Sequence, residues 1–148
     1  MNDSPSSPVS DFRTRRTIEF ADTDMGGIVH FSRFFVFMET AEHEFLRHLG
    51  AEVHMPWQGQ QIGWPRVEAS CQFLSPAGLG DELEIHLRVA RKGAKSMTYA
   101  TTFSCDGRII ARGRMTSVCC VMDEADGLRA VPIPDFIAEQ IVATIDSH

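Results

Sequence analysis

The sequence predicts an α+β domain: one long early helix followed by a run of antiparallel strands. Three observations lead there. Apolar residues recur every second position, switch to helical spacing from about Phe31 to Leu49, and then return to alternation. Turn signals such as Asp106-Gly107 separate the later runs. No internal repeat or linker divides the 148 residues, so one domain is expected, long enough to bury a core without staples.

The elements follow in order. Residues 1–11, rich in Ser and Pro, read as a disordered leader without the apolar stretch of a signal peptide, and the domain is expected over 12–148. Phe12, Ile18 and Phe20 share one face of a first strand that carries Arg13, Arg15, Thr17 and Glu19 on the other. Asp22 to Gly27 reads as a loop. The helix stripe is Phe34, Phe37, Met38, Ala41, Phe45, His48 and Leu49, with Glu39, Glu42, His43 and Glu44 towards solvent. Ser32 is placed to cap its start and Gly50 its end. At about 18 residues it runs roughly 27 Å, enough to span a small sheet. Residues 51–62 lack a period and read as a loop.

Strands then come in series. Pro65, Val67, Ala69, Cys71 and Phe73 share a face. After the turn at 76–81, Leu83, Ile85, Leu87 and Val89 point inward. After the turn at 91–95, Met97, Tyr99, Thr101 and Phe103 alternate. Arg108–Met122 reads as one long strand ended by "DEADG", with Arg112 and Arg114 on one face. A closing helix follows Pro134, with Ile137, Ile141 and Ile145 in register. The order is β-α-β-β-β-β and a final α. A one-sided antiparallel sheet needs a cover, and the early helix supplies it.

Composition narrows the function. A net charge of −6 argues against a general nucleic-acid binder. No apolar run is long enough to span a membrane. Cys71, Cys105, Cys119 and Cys120 form no C-x-x-C pair and read as reduced thiols of a cytoplasmic protein, with Cys119 and Cys120 on opposite faces of one strand. His43 and His48 stand at i and i+5, roughly 140° apart around a helix, so no metal site is expected there. Glu39–His43 and Glu44–His48 pairs on a solvated face account for them. No nucleophile elbow and no Gly-rich phosphate loop appears.

The stretch with chemical content is "EFADTDMGGIVHFSRFF". Asp22 and Asp24 can simply shape a turn in which Gly26 and Gly27 adopt positive φ. They also precede a helix N-terminus, where free N–H groups and the dipole favour an anion. Ile28, Val29 and Phe31 supply apolar surroundings that desolvate a carboxylate, and the glycines admit a substrate close to the backbone. A carboxylate beside a helix end that stabilises an oxyanion is a kit for acyl transfer.

"FADTDMGGIVHFSRFFVFMETAEHEFLRHLG" resembles the signature of the hotdog-fold acyl-CoA thioesterases, in the 4-hydroxybenzoyl-CoA thioesterase branch with its Tol–Pal-associated relatives. "PAGLGDELEI", "KSMTY" and "LRAVPIP" fit as well, so the likeness runs from about Arg13 to Phe136. It implies a hotdog fold, an antiparallel curved sheet of about five strands wrapped around the helix. It also implies edge-to-edge dimers assembling into homotetramers, with active sites at the dimer interface. The catalytic carboxylate falls on Asp24. The backbone N–H of Phe31 holds the thioester carbonyl, and His30 is a further candidate because some relatives carry Tyr or His where Phe31 stands. Asp24 then attacks the carbonyl or activates water, with Asp22 shaping the turn. The substrate is an acyl- or aroyl-coenzyme A, and no metal or cofactor is needed. Gly26, Gly27, Trp64 and Pro65 are candidates for the acyl end, and Arg91, Lys92, Lys95, Ser96 and Arg129, with Arg88 nearby, for the CoA phosphates. Two rival readings remain at this level: a hotdog dehydratase relying on His30, and a non-catalytic acyl-binding module.

Overall fold

The computed structural model describes residues 7–123, 125 and 127–144. A five-stranded antiparallel sheet carries the fold. Its strands are β1 (Asp11–Thr17), β4 (Arg66–Phe73), β5 (Glu82–Lys92), β6 (Ser96–Cys105) and β7 (Arg108–Val118), in the spatial order β1-β5-β6-β7-β4. Helix α1 (Arg33–His48) lies along its inner face. Register shifts in the β5–β6, β6–β7 and β4–β7 ladders insert single extra residues that bend the strands. The result is the hotdog arrangement, a curved sheet around one central helix.

The alternation is legible in burial. Leu83, Ile85, Leu87 and Val89 of β5 and Met97, Tyr99, Thr101 and Phe103 of β6 face the helix, which returns Phe34, Phe37, Met38, Ala41, Phe45, Leu46 and Leu49. The helix ends in a Schellman motif: Ala51 N–H donates to Leu46 O at 2.9 Å and Gly50 N–H to Arg47 O at 3.0 Å, with Gly50 at φ 85°. Asp106 and Gly107, at φ 52° and 78°, make the two-residue turn between β6 and β7.

Several expectations are corrected. The first strand ends at Thr17, and Phe20 sits in a 3-10 turn (Phe20–Asp22) with its side chain 80% exposed. Residues 51–62 are not a plain loop. They contain β2 (Met55–Trp57) and the start of β3 (Gln60–Gly63), which join β8 (Cys120–Asp123) and β9 (Gly127–Ala130) in a second sheet ordered β2-β3-β8-β9. The long strand therefore breaks at Cys119, and Cys119 and Cys120 are both buried. Most of β4 is exposed because it is an edge strand, with a bulge at Val67. The last helix, α2, spans only Asp135–Ala138, with Ile137 and Ile141 buried. Val9 pairs with Ile141 and Ser10 O accepts from Val89 N–H, so ordered chain begins before Phe12. The leader's first six residues, Glu124 and Asp126 of the "DEADG" turn, and Ile145 lie outside the described residues.

On α1, His48 is exposed and packs on the Phe12 ring at 5.5 Å, whereas Glu42 is fully buried. The Glu42 carboxylate accepts from Ser117 Oγ at 2.7 Å and from Arg66 Nη2. Burial pushes the Glu42 carboxyl up, against the Arg66 charge and those hydrogen bonds. His43 lies by Glu39 and Arg66, away from His48. The four cysteines are unpaired thiols, and no helix among the described residues is long and apolar enough to cross a membrane.

Helix and sheet come close at Gly113 of β7, where an added Cβ would overlap Sδ and Cε of Met38. Met38 is itself buried, so its thioether would have to repack within the core. Gly113→Val is expected to lower stability by about 1–3 kcal/mol through overpacking, read as a shift in the urea midpoint at constant slope.

Candidate active site

The Asp22–Gly27 segment is a tight hairpin pinned to the rest of the chain. Thr23 pairs with Val29, Asp24 N–H donates to Ile28 O at 2.9 Å, and Gly27 N–H to Asp24 O at 3.0 Å. Gly27 has φ 81°, a conformation that a residue with a Cβ rarely adopts. Its carbonyl oxygen would lie 3.0 Å from a Cβ at Gly78, so the loop and the turn before β5 touch backbone to backbone. Val29 N–H donates to Ala77 O at 2.9 Å across the same contact.

Asp22 anchors the hairpin from beneath. Its buried carboxylate accepts from Glu19 N–H at 2.9 Å and Arg33 Nε at 2.9 Å, and Arg16 Nη2 stands 3.6 Å away. Its backbone oxygen accepts from His30 N–H at 2.8 Å. Burial pushes the Asp22 carboxyl up, but the Glu19 amide, the Arg33 hydrogen bond and the charges of Arg16 and Arg33 outweigh it and hold it below the ordinary carboxylate range.

Asp24 is exposed at the turn. Its Oδ1 accepts from Gly26 N–H at 2.8 Å, an Asx-type turn, and no other hydrogen bond reaches its side chain among the described residues. The turn contact therefore occupies one oxygen of Asp24 and leaves the other without a hydrogen bond among the described residues. Asp24 and Phe31 line one cavity of about 500 Å³ with Ile28, Val29, Phe34 and Phe73, closed on one side by the 74–77 segment. A second, more open hollow on the other side of Asp24 is bordered by the exposed side chains of Phe20, Met25 and Leu79.

The start of α1 departs from expectation in an informative way. Ser32 occupies the N-cap position without capping the helix, because its Oγ bonds His30 Nδ1 at 2.8 Å. The amides of Val29, His30, Ser32, Arg33 and Phe35 are matched, while that of Phe31 has no partner among the described residues. The Phe31 ring stacks on His30 at 4.6 Å and meets Phe73 edge-on at 6.2 Å.

The other expected residues are not brought here. Trp64 is buried in the core and Pro65 O accepts from Val118 N–H; neither lines the cavity. Arg91, Lys92, Lys95 and Ser96 sit at the β5–β6 turn, Arg88 on β5 and Arg129 on β9, all outside the cavity lining. Lys92 Nζ is engaged by the carbonyls of Ala138 and Ile141 at 3.0 and 2.8 Å. Helical spacing puts Phe34, and alternation Phe73, on an interior face, yet both line the cavity. Phe73 is half-exposed at the end of an edge strand, and no spacing signal distinguishes a cavity wall from a core position.

Residues 18–141 match the model of the thioesterase-like superfamily. A 1,4-dihydroxy-2-naphthoyl-CoA hydrolase of Synechococcus sp. strain RCC307 is 31% identical over 134 residues, spanning 88% of this chain and 100% of that protein. Among solved structures, a 1,4-dihydroxy-2-naphthoyl-CoA thioesterase from Synechocystis superposes with a TM-score of 0.77 at 25% identity, over 88% of this chain and 95% of that one. A gentisyl-coenzyme A thioesterase gives 0.70 at 31% identity, over 86% and 98%.

Because its folded-state affinity for protons is depressed, Asp22 adds stability that is present above the ordinary Asp range and is lost as pH falls through the folded value. Asp22→Asn is expected to cost about 1–3 kcal/mol at pH 7 and to flatten the fall in stability below pH ~4, measured by urea unfolding across pH.

Proposed function

The chain belongs to the thioesterase-like superfamily, and from that premise we propose that Asp24 and the Phe31 amide hydrolyse an aromatic acyl-CoA. The acyl-CoA thioesterase type of hydrolase follows from the named relatives; the substrate and the residue roles are our reading. One observation carries it: Asp24, with one carboxylate oxygen unpartnered among the described residues, and Phe31, with an amide likewise unpartnered just before the helix, line the same apolar cavity.

The amide of Phe31 points its partial positive charge at the thioester carbonyl oxygen. That charge is worth most where negative charge develops, at the tetrahedral carbon. Either the Asp24 oxygen attacks the carbonyl carbon, expelling the thiolate and leaving a mixed anhydride that water cleaves, or it takes the proton of an attacking water. Both end in free acid and CoA. Ile28, Val29 and Phe34 keep the cavity apolar, which strengthens these interactions.

The aromatic preference rests on the Phe31–Phe34–Phe73 wall, whose rings approach at 5.8–6.2 Å, a spacing suited to edge contacts with a further ring. The named substrates of the relatives, 1,4-dihydroxy-2-naphthoyl and gentisyl thioesters, are hydroxylated aromatics. The exposed Phe20, Met25 and Leu79 beside Asp24 make an apolar border that a second protomer would cover, supporting edge-to-edge dimers and, beyond them, homotetramers. Such a neighbour would also bring the Arg91–Lys95 turn or Arg129 to the CoA phosphates. Unpaired thiols suit a reducing cytoplasm.

Asp24→Asn is expected to lower kcat by a factor of about 10² or more with KM and folding little changed, followed by free-thiol release. If hydrolysis persists in Asp24→Asn but fails in His30→Ala, the catalytic assignment is wrong. Binding of acyl-CoAs without thiol release in the unsubstituted protein would point to a non-catalytic module.

Phe73→Ala is expected to raise KM for benzoyl-type thioesters about tenfold, the loss of one ring contact, while leaving acetyl-CoA turnover unchanged. Equal effects on both substrates would remove the aromatic reading.

A further inference from the structure

Arg112 and Arg114 take no part in the Asp24 site. In the folded chain they border a cationic trough on the outer face of the sheet, away from α1. The register sets two neighbouring rows across the strands: Arg13, His86, Thr102 and Arg112 in one, and Asp11, Arg88, Ala100 and Arg114 in the next. The middle strand, β6, presents only small side chains there, Ala100, Thr102 and Ser104, and forms a floor. Long arginines on β1, β5 and β7 form the walls. Strands lie about 4.8 Å apart, so the Cα atoms of Arg88 and Arg114 are separated by about 10 Å, and those of Arg112 and Arg114 by about 7 Å. Between β1, β5 and β6 the trough deepens into a hollow of about 330 Å³ whose polar border includes Arg13, Arg15, His86, Arg88, Thr102 and Ser104, with Glu84 as the one acid in its lining.

The charges here are not internally satisfied. Arg15 pairs with Glu82 at 3.2 Å and His86 with Asp11 at 2.7 Å. Arg13, Arg88, Arg112 and Arg114 form no ion pair among the described residues, although all four are exposed on a chain of net charge −6. Glu84 stands opposite Arg15 at one end of the face and Glu68 opposite Thr116 at the other. Within the two central rows Asp11 is the one acid.

We propose that this trough binds a small ligand carrying two or more phosphate groups, of the nucleoside diphosphate class. Guanidinium forks match phosphate oxygens two at a time, and their separation suits spaced phosphates better than a single one. The hydroxyls of Thr102 and Ser104 supply further donors on the floor. The hollow has the size of a nucleotide fragment rather than of a helix or a bilayer surface. A second copy of the same face would set arginine against arginine. None of the residues bordering the trough lines the Asp24 cavity, so the proposal stands whether or not the chain hydrolyses aromatic thioesters.

The test is calorimetric titration of the full chain with inorganic pyrophosphate, orthophosphate and ADP at constant ionic strength. Unsubstituted protein is expected to bind pyrophosphate at least tenfold more tightly than orthophosphate. Arg88→Ala with Arg114→Ala is expected to weaken pyrophosphate at least tenfold, and Asp24→Asn to leave it within twofold. A parallel rise in KM for acyl-CoA in the double variant would identify the phosphates as those of the substrate's own nucleotide reaching across from a neighbouring protomer; an unchanged KM would identify a free nucleotide. The proposal is overturned by absence of pyrophosphate binding at millimolar concentration, or by undiminished binding in the double variant. Preference for a poly-glutamate peptide over pyrophosphate would overturn it too. So would a change in sedimentation of the double variant with pyrophosphate affinity unmoved, which would make the face an interface between copies.

Discussion

Asp22 joins the end of the first strand to the start of the central helix, and the geometry of the candidate site follows from that junction. A buried carboxylate loses several kcal/mol of hydration. It is kept ionised because a backbone amide, Arg33 and Arg16 surround it, and hydrogen bonds to charged groups are worth about 1.5–3 kcal/mol each. Arg16 in turn lies over the Phe37 ring at 4.5 Å, tying the charge cluster to the core of the helix. Since the Asp22 backbone oxygen also holds His30, the residues on either side, Asp24 and Phe31, are positioned by the same group.

A second polar anchor lies further along the helix. Glu42 reaches Arg66 at the start of β4 and Ser117 near the end of β7. Apolar contacts between a helix and a sheet are non-directional and leave sliding inexpensive. Two buried carboxylates, each tied to different strands, remove that freedom. They also carry a cost: Trp64 Nε1, Arg66 Nε, Tyr99 Oη and Arg16 Nε are buried without hydrogen-bond partners among the described residues.

The site itself is an apolar cavity with its polar equipment concentrated at one corner. His30 draws the Ser32 hydroxyl away from the capping position, so the helix start is left with uncapped donors. In a purely structural helix that would be a loss of about 1 kcal/mol; separately, the Phe31 amide, one residue before the N-cap, has no partner among the described residues. The open side of Asp24 is bordered by the exposed apolar side chains of Phe20, Met25 and Leu79.

Alternation and helical spacing were enough to place the central helix, the inward faces of β5 and β6, the Asp106-Gly107 turn and the acidic hairpin, because each depends on contacts within a few residues. They failed at Glu42, where a charged residue on an apparently solvated stripe is buried by a partner 24 positions away. They also failed over residues 51–62, whose short strands pair with each other and, through β3, with the distant β8. Phe73 and the outer arginines behaved the same way: strand pattern assigned their faces in part, but which of them border a cavity depends on strand order. Local sequence determined the central helix, the main strands and the place of the acidic hairpin before that helix. The tertiary structure decided which distant groups satisfy the buried charges and which rows of side chains share a hollow, since those depend on ladder register between strands that no local pattern specifies.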